Sequence, residues 1–134
     1  MRKTVTSRLR AEIPALVLFA HGARDPEWAL PFQRIRRTVA AKRAGTAVEL
    51  AFHESMEPTL AAAAAKLAAA GHQRIVVAPL FMAQGSHLKR DLPRIIDALR
   101  AEHPGTAFDL LPAIGEVDAV LDAISDWLAS EIAR

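Results

Sequence analysis

The feature that most constrains the fold is an alternation of short apolar runs with longer segments of helical character, repeated four times. The apolar runs have the length and composition of strands that are covered on both faces, and they span residues 15–20, 47–52, 74–79 and 107–111. Repeated β-α units of this kind predict a four-stranded parallel sheet with helices on both sides, a three-layer α/β/α fold.

The segments between the runs show apolar residues three or four positions apart, as one face of a helix requires. In the first segment these are Trp28, Phe32, Ile35 and Val39. The second is an alanine-rich run that starts after Pro58 and closes at Gly71, with a proline and a glycine where helices tolerate them. The third and the last helix carry these apolar positions: Leu92, Ile95, Ile96, Leu99, and Val117, Val120, Leu121, Ile124, Trp127, Leu128, Ile132.

Length and composition limit the organisation of the chain. Its 134 residues are 51% hydrophobic, which suits one folded domain, and we assign that domain to residues 13–134. Residues 1–12 hold four basic residues and one acidic residue, a net charge of +3 that leaves −1 for the rest, and we expect them to be a flexible basic tail. The chain has no cysteine, which excludes disulfides, thiolate metal sites and thiol catalysis and favours the cytoplasm.

Composition also argues against two classes of partner. The excess positive charge belongs to the tail, and aromatic residues make up only 5% of the chain, so a nucleic-acid interface is not expected. No apolar run is long enough to span a bilayer, so no membrane association is expected either.

Metal-capable side chains follow the predicted strands at the points where the strands end. Right-handed crossovers place the carboxyl ends of parallel strands on one edge of the sheet, where open α/β sheets bind ligands. The side chains that this rule brings to one edge are His21, His53, Glu54, His87 and Glu116. Imidazole and carboxylate groups bind divalent metals and transfer protons near neutral pH.

Each histidine also has a structural interpretation. A single histidine at a strand end is more often a hydrogen-bonded structural residue than a functional one. His53 and Glu54 are adjacent, and strand alternation would point them to opposite sides, so the two do not easily join one site. Of the two roles open to His53, an extra metal contact or a surface residue, we expect the surface residue. His72 follows a helix and is expected to be a solvated connector residue, and His103 lies where a cation suits the end of a helix.

Lys89 and Arg90 follow His87 at the start of a predicted helix, where cations and free N–H groups together favour carboxylates or phosphates. Dinucleotide, P-loop, zinc-protease and α/β-hydrolase motifs are absent from the sequence. Phosphohistidine enzymes place an arginine directly before the histidine, but Ala20 occupies that position here.

Four stretches, taken together, resemble the small CbiX-type sirohydrochlorin chelatases, which are related to ferrochelatase: LVLFAHGARDPEW, VELAFHESMEPTL, RIVVAPLFMAQGSHLKRDLP and PAIGEVDAVLDAI. They occur in order over about residues 14–125. Ala23 stands where serine is common in that family, and His53 where an apolar residue is common.

The resemblance implies a lyase-class chelatase with a flavodoxin-like half-unit fold. It would insert Co²⁺, or alternatively Fe²⁺ or Ni²⁺, into sirohydrochlorin for cobalamin or sirohaem biosynthesis. The metal would be a substrate, with no permanently bound cofactor, and two copies would form a homodimer around a shared cleft. His21 and His87 match the two active-site histidines as metal or proton contacts, and Glu54 matches an assisting carboxylate. Substrate contacts are expected at Gly22, Gly85, Ser86, Lys89 and Arg90.

Two other functions use the same residues or the same fold. A non-catalytic carrier would bind metal or tetrapyrrole without turnover, and a flavodoxin-like regulatory module would bind neither. The paired histidines at the strand ends argue against the regulatory module.

Overall fold

A computed structural model describes residues 13–133, so the predicted basic tail, residues 1–12, lies outside the described residues. Its four strands form one parallel sheet in the order β2-β1-β3-β4. The strands are β1 (Ala15–Ala20), β2 (Val48–Phe52), β3 (Arg74–Pro79) and β4 (Ala107–Leu110). The sequence prediction of a four-stranded parallel sheet is therefore confirmed, with strand bounds that differ by one residue at most.

Four α-helices follow the four strands: α1 (Leu30–Lys42), α2 (Leu60–Ala69), α3 (Ser86–Glu102) and α4 (Asp118–Ile132). Short 3₁₀ turns precede the first and the last of them, at Pro26–Ala29 and Ile114–Glu116. The first 3₁₀ turn is capped by Asp25, whose carboxylate accepts a hydrogen bond from the backbone N–H of Glu27 at 3.0 Å. Thr59 caps α2 in the same way, through the backbone N–H of Ala62.

The two faces of the sheet carry different cores. On one face α2 and α3 pack against Val17, Phe19 and Val77, all of which are almost fully buried. On the other face α1 packs against Leu18, Leu50 and their neighbours. The alternation of strand side chains between these faces explains why the strands read as continuous apolar runs, and the predicted three-layer fold is confirmed.

Two positions differ from the sequence predictions. Ile35 shares helical spacing with the buried face of α1, but 40% of it is exposed, because Phe32 and Val39 make the sheet contacts of that helix. His72 was expected in solvent but is only 7% exposed, since the turn after α2 folds its backbone N–H onto the carbonyl of Leu67. The alternation and composition of the sequence did not reveal these two local packing outcomes.

Over residues 13–133, none of the helices has both the length and the apolar character that crossing a bilayer requires.

Candidate functional site at the carboxyl edge of the sheet

The strand order fixes where a ligand can enter the sheet. From β1 the chain moves outward to β2 and then crosses back to β3 on the other side of β1. Doubly wound sheets bind ligands in the crevice beyond the carboxyl ends of the two strands that flank such a reversal, and here these strands are β1 and β3. His21 directly follows β1, and residues 80–87 follow β3.

The His21 side chain is the centre of the contacts at this edge. Its Nδ1 atom lies 3.4 Å from Oε1 of Glu54, an ion-pair distance, and the two side chains are 53% and 58% exposed. With Nδ1 turned toward the carboxylate, Nε2 is the nitrogen left for a ligand or a proton. The pair is thus oriented by the protein and still reachable from solvent.

Backbone contacts hold this pair in place. The N–H of His53 donates to the carbonyl of Ala20 at 2.9 Å, and the N–H of Glu54 donates to the carbonyl of His21 at 3.0 Å. The loops after β1 and β2 come so close that a Cβ atom on Gly22 would lie 1.9 Å from the Glu54 carbonyl oxygen. Gly22 also has a φ of +94°, which glycine adopts readily. Gly22 therefore allows the loops after β1 and β2 to approach each other closely.

His53 also lies beside His21, contrary to the expectation that adjacent residues of a strand would separate. The two rings meet edge to face with 5.7 Å between their centroids, and the His53 ring makes a second such contact with Phe19 at 6.1 Å. The prediction from strand alternation is wrong here because β2 ends at Phe52, so His53 and Glu54 belong to the following bend. His53 is exposed, as predicted.

Phe81 forms an apolar wall of the site and was not predicted from the sequence as a site residue. It is 7% exposed and contacts both Phe19 and His21 edge to face, at centroid distances of 5.8 and 6.3 Å. Its carbonyl accepts a hydrogen bond from the N–H of Gly115 at 3.1 Å, which ties the loop after β3 to the loop after β4. The feature of the sequence that could have indicated this wall is an aromatic residue two positions after the end of a buried strand.

The other predicted residues lie at the start of α3. Gly85 precedes the helix, Ser86 and His87 are its first two residues, and Lys89 and Arg90 follow in the first turn. All five are exposed. Among the described residues, no hydrogen bond, ion pair or ring contact joins the His87 side chain to His21.

Two further features concern charge and metal donors. Lys89 and Glu116 line one cavity of about 340 Å³ between α3 and the segment after β4. Within residues 13–133, no three His, Asp or Glu side chains stand close enough together to hold a metal ion. The imidazole of His21 and the carboxylate of Glu54 are two side-by-side groups of the types that bind divalent metals.

The chain matches the CbiX family model over residues 15–131. A relative from Methanococcus aeolicus, named sirohydrochlorin cobaltochelatase, is 34% identical over 88 residues, which are 66% of this chain and 62% of that protein. The match thus spans less than two thirds of that relative's length.

Two solved structures have the same fold. A CbiX protein from Marinobacter aquaeolei VT8, named for cobalamin (vitamin B12) biosynthesis, superposes with a TM-score of 0.78 at 31% identity, covering 90% of this chain and 98% of that one. The sirohydrochlorin chelatase SirB from Bacillus subtilis subspecies spizizenii, solved with cobalt, gives a TM-score of 0.73 at 22% identity. That match covers 88% of this chain but only 50% of SirB.

Proposed function

The chain belongs to the CbiX family, and on that premise we propose that it inserts a divalent metal ion into sirohydrochlorin. The observation that carries the proposal is the solvent-accessible imidazole–carboxylate pair of His21 and Glu54 beyond the central strand β1. The Methanococcus aeolicus relative named for cobalt supports Co²⁺ as the metal, with Fe²⁺ and Ni²⁺ as the alternatives to test.

Metal insertion requires two kinds of chemistry from the protein. The metal exchanges its water ligands for four ring nitrogens, and two pyrrole N–H groups lose their protons, so one metal dication enters for two protons released. A neutral imidazole nitrogen can donate to a late first-row metal or accept a proton. His21, with Nδ1 held by Glu54, presents Nε2 for either task, and the carboxylate can pass a proton on to water.

His87 is proposed as the second active-site histidine, acting from the first turn of α3. We propose that it contacts the metal or a pyrrole proton once the macrocycle occupies the crevice. The absence of a third clustered protein donor among the described residues suits a metal that must be released into the ring.

The carboxylates of the substrate would be bound by Lys89 and Arg90, together with the backbone around Gly22, Gly85 and Ser86. Lys89 and Arg90 are exposed cations at the amino end of α3, and both charge and helix polarity favour an anion there. Phe81 would supply an apolar wall against the face or edge of the macrocycle.

We further propose that the protein works as a homodimer, in the cytoplasm, with the metal as substrate and no permanent cofactor. The match to half of SirB supports a two-copy assembly, because SirB has the length of two such units in one chain.

The test is a metal-insertion assay in which sirohydrochlorin is mixed with Co²⁺, Ni²⁺ or Fe²⁺ and the absorbance of the metallated ring is followed. We expect many turnovers per protein chain with one metal preferred, and a loss of about 10- to 100-fold in kcat for Glu54→Gln, which keeps the shape but not the charge. Binding of metal or tetrapyrrole in a fixed ratio, with no acceleration over the uncatalysed reaction, would instead identify a carrier.

A further inference from the structure

Ser55, which follows Glu54 in the loop after β2, has a backbone conformation that serine rarely adopts. Its φ is +64°, and among residues 13–133 it is the one residue other than glycine with a positive φ. In this left-handed region the Cβ atom crowds the following carbonyl oxygen, so the conformation costs energy that other contacts must offset. Backbone strain of this kind concentrates at functional sites, and Ser55 adjoins the residue whose carboxylate contacts His21.

The Ser55 side chain does not stabilise this conformation. Asparagine and aspartate tolerate the left-handed region because their side chains form hydrogen bonds with the nearby backbone. Ser55 is exposed, and no hydrogen bond joins its hydroxyl to any residue in the range 13–133. The conformation is therefore imposed by the contacts of the residues on either side of Ser55.

The contacts before Ser55 join its loop to the end of β1. The N–H of Glu54 donates to the carbonyl of His21 at 3.0 Å. The Glu54 carbonyl oxygen, which belongs to the peptide link to Ser55, would lie 1.9 Å from a Cβ atom on Gly22. Both ends of the Glu54 backbone are therefore held against the loop after β1, and Ser55 is the first residue at which the chain can turn away.

The contacts after Ser55 require the chain to turn back at once. The N–H of Phe52 donates to the carbonyl of Pro58 at 2.9 Å, so the two ends of the loop after β2 meet. Phe52 also pairs with Thr59 in an isolated parallel bridge, and Met56 packs against the core cluster that includes Phe52. A positive φ allows a sharp turn of this kind, and Ser55 is the residue at which the loop turns from the site to the core.

We propose that the left-handed backbone of Ser55 holds the Glu54 carboxylate against Nδ1 of His21, which makes Ser55 a positioning residue of the metal-insertion site. Because the chain is fixed on both sides of the turn, neighbouring residues must absorb any change in the φ of Ser55. Met56 is packed on the core, whereas the Glu54 side chain is 58% exposed and has less packing to resist the change. The kinetic consequence rests on the proposed function, but the contact between the two side chains does not, so it is measured first and without substrate.

Two substitutions separate the backbone of Ser55 from its hydroxyl. Ser55→Thr keeps the hydroxyl but adds a β-branch, which disfavours a positive φ, whereas Ser55→Asn removes the hydroxyl and tolerates a positive φ. Glu57→Thr is the matched control, since it places the same β-branched residue at an exposed position of the same loop where φ is not positive. We expect the circular dichroism of all three variants to match that of the parent protein.

The first measurement is the tautomer of the His21 ring, determined from the ¹⁵N chemical shifts of the labelled protein without metal or tetrapyrrole. A carboxylate that accepts a hydrogen bond from Nδ1 keeps the proton of the neutral ring on that nitrogen. We expect this tautomer to predominate in the parent, Ser55→Asn and Glu57→Thr proteins, and to lose population in Ser55→Thr and in Glu54→Ala. A parent-like ring in Ser55→Thr, or a loss in Ser55→Asn alone, would contradict the proposal.

The second measurement is metal insertion at saturating sirohydrochlorin and metal. We expect Ser55→Thr to lower kcat about 10-fold and Ser55→Asn to leave it near the parent value, because displacement of a positioned group slows the step that it assists. When Glu54→Ala is already present, Ser55→Thr should cause no further loss. An equal loss with and without Glu54→Ala would show that Ser55 acts independently of Glu54 and would overturn the proposal. If the parent protein inserts no metal, the proposed function fails, while the tautomer measurement still decides the role of Ser55.

Discussion

At the end of β1, the His21 ring contacts Glu54, His53 and Phe81, whereas at the start of α3 the His87 ring has no such contact among the described residues. Backbone hydrogen bonds also fix the first side, since the loops after β1 and β2 are joined directly. The α3 side presents exposed side chains at a helix start, and none of them forms an ion pair with another residue in the range 13–133. Under the proposed function, the proton acceptor benefits from a fixed position, while the groups that receive a flexible, carboxylate-rich substrate can adjust.

The largest effect should come from forcing apart the loops after β1 and β2 at their closest contact. Gly22→Ala would place a Cβ 1.9 Å from the Glu54 carbonyl, so the two loops must separate. We expect a loss of about 3 kcal/mol or more in the free energy of unfolding, measured by urea titration, and nearly complete loss of metal insertion.

Gly71→Ala is the matched control for that substitution. Gly71 has a φ of +97°, close to the +94° of Gly22, but no atom lies within 4 Å of its Cβ position. Gly71→Ala should lower the free energy of unfolding by about 1–2 kcal/mol, the cost of conformational strain alone, and leave activity intact. If Gly22→Ala and Gly71→Ala lower the free energy of unfolding equally, the contact between the two loops contributes nothing to stability.

The two histidines themselves give the next largest effects. We expect His21→Ala to lower kcat about 100- to 10,000-fold, the range for a positioned proton-transfer group, without changing stability. His87→Ala should have a smaller effect, about 10- to 100-fold, expressed mainly in the KM for the metal, because its ring is not held by neighbouring side chains.

His103→Ala is the control histidine for both, because His103 follows α3 near the opposite edge of the sheet and should leave kcat unchanged. If His87→Ala lowers kcat more than His21→Ala does, the difference proposed between the end of β1 and the start of α3 is wrong.

The fold could be predicted from the sequence because its signals are local and repeated. Apolar runs, helical spacing and glycine or proline boundaries each reported on nearby residues, and parallel β-α connectivity then placed His21 and Glu54 on one edge. The contacts that hold the site together were harder to predict from the sequence. The Gly22–Glu54 and Gly115–Met82 approaches join residues that are 32 and 33 positions apart, and nothing in either local sequence indicates its partner.

The failed predictions have the same origin. His53 was separated from the site by extending strand alternation over His53 and Glu54, the two residues past the end of β2. The amphipathic pattern of α4 correctly predicted a helix, but a pattern shows that a face needs a cover and does not show which surface supplies it. Among residues 13–133, no residue of α4 belongs to either core cluster.

A smaller effect is expected from the cations at the start of α3. Lys89→Ala should raise the KM for sirohydrochlorin about 10-fold and leave kcat nearly unchanged, since a charge-assisted contact to a carboxylate contributes about 1.5 kcal/mol at an exposed site. Added salt should raise KM in the parent protein more than in the variant, because the lost interaction is the screened one.

Lys66→Ala provides a matched control for Lys89, because Lys66 is an exposed lysine on α2 that pairs with Glu49 at 2.8 Å, away from the strand ends. A change in kcat rather than KM for Lys89→Ala would place this lysine in the chemical step.

The smallest effect is expected at His53, and it tests whether the His53 ring helps to hold His21 in position. If its ring acts by packing edge to face against His21, His53→Leu should lower kcat only about 2- to 10-fold, matching the worth of an aromatic pair, and His53→Phe should restore most of it. Co²⁺ titration of the protein without tetrapyrrole should then give the same affinity for all three proteins. A fall in Co²⁺ affinity that phenylalanine does not reverse would make His53 a metal donor, and the fixed side would then bind metal as well as position His21.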